Sequence, residues 1–78
     1  MNPIAGGPVF TAIIEREGTL YVALCPELDL ASQGTSIENA LENLKEAVAL
    51  FLETADPREM KDRRREHVFV TQFQAAHG

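Results

Sequence analysis

The chain predicts an α+β fold with the element order βββαβ, and three observations carry that prediction. Runs rich in β-branched and aromatic residues recur at 9–15, 20–24 and 67–73. A single amphipathic stretch with a helical period follows Gly34. Turn residues stand between these segments where a small sheet needs its reversals.

Residues 1–8 hold two prolines and two glycines and form a flexible lead-in. Residues 9–15 are the first predicted strand. The polar run Glu15-Arg16-Glu17-Gly18-Thr19 then offers a glycine for positive φ, which favours a hairpin. Residues 20–24 are the second strand, with Leu20, Val22 and Leu24 on one face and Tyr21, Ala23 and Cys25 on the other. Pro26 has no amide donor and ends it. Residues 30–33 are a short third strand stopped by Gly34.

The helix carries the strongest pattern. Thr35 is the expected N-cap, with Glu38 three residues on completing a capping box. Apolar residues at Ile37, Ala40, Leu41, Leu44, Ala47, Val48, Phe51 and Leu52 form one stripe, and Glu38, Asn39, Glu42, Asn43, Lys45 and Glu46 face outward. Asp56-Pro57 closes the helix or caps a brief extra turn. Residues 58–66 are charged and lack an apolar period. Residues 67–73 return to a β pattern, and 74–78 form a frayed tail.

A three-stranded meander followed by a helical crossover brings the fourth strand in parallel beside the first. The expected sheet is therefore mixed and four-stranded, in the order 3-2-1-4, with the helix on one face. One helix cannot cover both faces. The other, expected to carry Val9, Ile13 and Tyr21, needs loops or an oligomer partner.

Size and composition narrow the function. Seventy-eight residues make one domain, 1–78, near the lower limit for a self-sufficient core. With 45% hydrophobic residues, apolar surface is hard to hide on so short a chain, which favours self-association as a dimer or tetramer. The formal charge of −5 repels nucleic-acid backbone and attracts basic protein surfaces. A single cysteine, Cys25, excludes an intrachain disulfide and suggests a reducing compartment. No basic-then-apolar leader opens the chain, and no apolar run approaches the roughly 20 residues of a membrane span. A cytoplasmic protein without membrane contact is expected.

The succession CPELDLASQGTSIENALENLKEAVALFLE, residues 25–53, resembles the signature segment of HicB-type antitoxins. Those combine a strand, a Pro-acidic-Leu loop, a Ser-x-Gly step, a Thr cap and a helix with Glu-Ala-Leu-like repeats. The resemblance covers roughly residues 10–73. It implies a truncated ribonuclease-H-like domain without nuclease activity. In the family that domain neutralises a small basic HicA-like toxin, which cleaves messenger RNA with a histidine. Many relatives add a DNA-binding segment. This chain ends five residues after Phe73, so no direct nucleic-acid binding is expected of it.

Candidate residues follow from charge and exposure. Glu27 and Asp29, with Glu15 and Glu17, are acidic contacts for a basic partner. Alternatively, Glu27 and Asp29 belong to a polar turn whose carboxylates cap local amides. Tyr21, Val68, Phe69 and Phe73 are candidates for an oligomer interface on the uncovered face and a sheet edge.

Catalytic and metal roles find little support. A two-metal nuclease needs converging carboxylates, one of them central in the first strand, where Thr11, Ala12 and Ile13 stand instead. His67 and His77 have no metal-ligand spacing, and a lone Cys25 fits a small buried apolar group. Arg63-Arg64-Arg65, with Arg58 and Lys61, has acidic neighbours that cancel much of its field. No catalytic residue and no cofactor is expected.

Overall fold

The computed structural model describes residues 8–59 and 68–76. Strand β1 spans Ile13–Glu17, β2 Leu20–Cys25 and β3 Leu30–Gly34, and helix α1 spans Ile37–Thr54. The described strands form an antiparallel sheet in the order β1-β2-β3.

The β1–β2 hairpin closes over Gly18-Thr19, with Glu17 opposite Leu20. Gly18 has φ +65°. A positive φ at the first loop position matches a type II′ turn, whose twist suits the strands it joins.

Several expectations need correction. Among the described residues the four-stranded mixed sheet of order 3-2-1-4 is not formed: their sheet has three strands, all antiparallel. Residues 68–76 belong to no strand or helix, and Phe69 and Phe73 stay 87% and 88% exposed. A β-rich sequence reports how well side chains suit a pleated, half-buried surface. It does not supply the neighbour that makes a ladder. His67, His77, Lys61 and Arg63-Arg64-Arg65 lie outside the described residues.

The first strand starts at Ile13 rather than Val9. Ahead of it, the Thr11 amide donates to the Glu27 carboxylate, so a side chain takes a donor that a ladder would otherwise use. The N-cap is Ser36 rather than Thr35. Ser36 Oγ accepts from the Asn39 amide at 3.0 Å, and Asn39 Oδ1 accepts from the Thr35 amide at 2.9 Å. This is a reciprocal cap in which Asn39, not Glu38, reaches back. The helix closes where the Ala55 amide donates to Phe51 O. Asp56 then accepts from the Arg58 amide, capping the helical backbone at 57–59.

The core lies between the sheet and α1. Ala23, Cys25, Leu28, Ala40, Leu44 and Val48 are buried, with Phe10, Ile14, Tyr21, Leu30, Phe51 and Leu52 packed around them. Leu28 drops from the β2–β3 loop into this core and is fully buried. Asp29 turns the chain back with φ 55°, a left-handed conformation that Asp tolerates better than most residues. Helix and sheet meet closely at Gly34. A Cβ there would lie 2.5 Å from the Ala40 amide nitrogen and 2.8 Å from its Cα. Asn43 Nδ2 also donates to Gln33 O at 2.8 Å, fastening α1 onto β3.

Candidate functional site

Cross-strand partners share a sheet face, so the register assigns every strand residue to one side. The rows Ile14–Ala23–Ser32 and Arg16–Tyr21–Gly34, with Cys25–Leu30, face α1. The rows Ile13–Leu24–Ala31 and Glu15–Val22–Gln33, with Glu17–Leu20, face away from it. No described helix covers this second face, and Leu24 on it is 36% exposed. The result is a small apolar area around Ile13, Val22 and Leu24, bordered toward the hairpin by the exposed Glu15 and Glu17.

Glu15 and Glu17 are two residues apart on one strand face, so their Cα atoms are about 7 Å apart. Two carboxylates at that spacing can each take a Lys or Arg from one basic surface. Asp29 is elsewhere. It sits beyond Cys25 and Leu30, at the end of the sheet opposite the Glu17–Leu20 hairpin end. The four acidic candidates therefore do not form one patch.

Glu27 is held inside the chain. Thr11 donates its amide to Glu27 Oε1 at 2.9 Å and its hydroxyl to Oε2 at 2.6 Å, a short charge-assisted bond. The Cys25 thiol approaches Oε1 at 3.5 Å. Partial burial opposes the charged form of Glu27, but the Thr11 hydroxyl and amide outweigh it and hold the carboxyl below its ordinary pKa. Burial pushes the Cys25 thiol up, and its Glu27 neighbour adds to the rise. Cys25 therefore stays a protonated core group. For Glu27, these contacts favour a capping role, since its oxygens tie the lead-in to the β2–β3 loop.

Tyr21 packs against the buried cluster, on the face toward α1 rather than the uncovered face expected for it. Val68 is half-buried, while Phe69 and Phe73 project into solvent. Among the described residues, no group of three His, Cys, Asp or Glu side chains converges as a metal site would require. Among them, too, no helix is long and apolar enough to cross a membrane.

Comparison with known proteins finds a partial relative. The chain is similar to a UPF0150 protein of Helicobacter pylori (strain J99 / ATCC 700824), with 44% identity over 45 residues. That match takes in 56% of this chain and spans 62% of the relative's length. No protein-family model matches the chain, and no solved structure does.

Sequence reasoning missed two features. Thr11 and Glu27 are 16 positions apart, and no local spacing pairs them. An apolar groove of about 380 Å³ lies between the lead-in and α1, bordered by Phe10, Thr11, Leu41, Lys45, Val48 and Leu52 among others. The outward spread of the helix's apolar stripe, from Leu41 to Leu52, was its available signal.

Proposed function

We propose that this chain is a HicB-like antitoxin: a non-catalytic, cytoplasmic module that binds a small basic mRNA-cleaving toxin on its uncovered sheet face. The observation that carries the reading is that face itself, an apolar centre of Ile13, Val22 and Leu24 beside Glu15 and Glu17. Such a surface suits a partner that buries an apolar anchor and sets Lys or Arg at its rim. The net charge of −5 would steer such a partner. The succession at residues 25–53 supports the family assignment, and the H. pylori relative carries a name that states no activity.

The test is co-expression with the basic, histidine-containing product of a neighbouring reading frame. A stable complex on size exclusion, with toxicity suppressed, is the expected result. No complex would remove the assignment, and a complex unchanged by Leu24→Asp would move the contact off this face. A second reading, a stand-alone homo-oligomeric scaffold, is favoured by the exposure of Phe69 and Phe73. It predicts a stable oligomer and no such neighbour.

A further inference from the structure

The helix lies chiefly over β3, less over β2 and least over β1. That offset leaves the groove between α1 and the lead-in open. Apart from Thr11 and Lys45, its walls are apolar or a thiol. Leu44, Val48 and Phe10 reach it from the core, so filling it would extend a packed interior.

The same chain displays a segment that suits the groove. Residues 68–76 contain no charged side chain and expose Phe69, Val70 and Phe73. In an extended chain, Phe69, Thr71 and Phe73 fall on one face, with the phenylalanines about 13 Å apart. The segment leaves its aromatic rings off the described core, with Phe69 and Phe73 almost fully exposed. Thirteen residues separate it from the end of α1, which allows at most about 50 Å of reach.

We infer that two copies exchange this segment: Phe69 and Phe73 of each copy fill the groove of the other, forming a two-fold dimer. The area agrees. A buried phenylalanine removes about 150–250 Å² from water. Four of them, with the groove surface they cover, come to the roughly 1,200–2,000 Å² of a stable interface. The uncharged segment also lets two acidic chains meet without placing like charges together at the contact. The groove is on the helix side of the sheet, opposite the proposed toxin face. The inference therefore stands or falls separately from the antitoxin reading.

Light scattering on the size-excluded full chain should give twice 8.6 kDa. The double variant Phe69→Ser/Phe73→Ser should weaken the dimer by at least about a hundredfold, as loss of clustered aromatic anchors does, with unchanged far-ultraviolet circular dichroism. Isotope-filtered NMR on a mixture of labelled and unlabelled wild-type chains should show contacts from the Phe69 and Phe73 rings to Val48 and Leu52 of the other copy. A monomeric wild type at high micromolar concentration would overturn the inference. So would a double variant that stays dimeric, or ring contacts that are only intrachain or reach only Leu24 and Ile13. If the double variant fails to fold, the mixed-label contacts decide.

Discussion

Two residues with no role in chemistry hold the domain's shape. At Gly34 the constraint is space, because backbone atoms of Ala40 occupy the position a Cβ would take. Backbone cannot swing aside as a flexible side chain can, so Gly34→Ala must displace the start of α1. Overpacking of this kind costs about 1–3 kcal/mol or more, and a lowered midpoint in urea unfolding would register it. Glu27 acts through hydrogen bonds instead. Its folded pKa is lowered, so its contribution to stability is fully present above the unfolded value of about 4.3 and fades as pH falls through the lower folded value. Glu27→Gln keeps the shape but loses the charge that Thr11 addresses. It should cost about 1–2 kcal/mol at neutral pH, toward the lower end because the site is partly exposed. The cost should shrink in acid, where the wild-type carboxyl is protonated as well. Thermal unfolding of both proteins across that range is the measurement, and parallel curves would refute the role.

At the scale of elements, α1 rests on its cap and on a buried row with a four-residue step, Ala40, Leu44 and Val48. Ser36→Ala removes the oxygen that receives the Asn39 amide and should destabilise the domain by about 1 kcal/mol. Thr35→Ala should cost less, because the Thr35 hydroxyl is only 3.4 Å from Asn39 Oδ1 and exposed. Equal losses in chemical denaturation would show the cap to be misassigned. The helix was legible because a 3.6-residue period over eighteen residues admits no competing reading. Its cap was off by one because Thr35 and Ser36 are both good caps, and Asn39 outcompetes Glu38. The meander was legible from Gly18 and Pro26. The start of β1 was not, since the Thr11 amide is claimed by a carboxylate distant in sequence. Residues 68–73 carry a strand's pattern, and pattern cannot reveal whether a partner edge lies within reach. For the candidate site, alternation grouped Tyr21 with Ala23 and Cys25, but pattern alone did not reveal that the helix covers this side, and the separation of Asp29 from Glu15 and Glu17 needed the register.

The molecule as a whole presents two unlike surfaces on opposite sides of one thin sheet, and their electrostatics can be separated. Glu15→Lys/Glu17→Lys reverses two exposed charges and moves the net charge from −5 to −1, without touching the groove or any described core residue. Encounter with a basic partner depends on the summed field, so its association rate should fall on the order of tenfold at low salt. At about 0.15 M ionic strength the Debye length is roughly 8 Å, and the difference between variant and wild type should narrow. Dissociation should change less, because exposed rim charges act mainly on the approach. Leu24→Asp should do the reverse, speeding dissociation by placing a carboxylate in the apolar centre. Surface plasmon resonance at two salt concentrations with the basic toxin separates these effects. A charge-reversed variant that binds as fast as wild type at low salt would move the toxin surface away from β1, leaving the exchanged dimer to be judged on its own contacts.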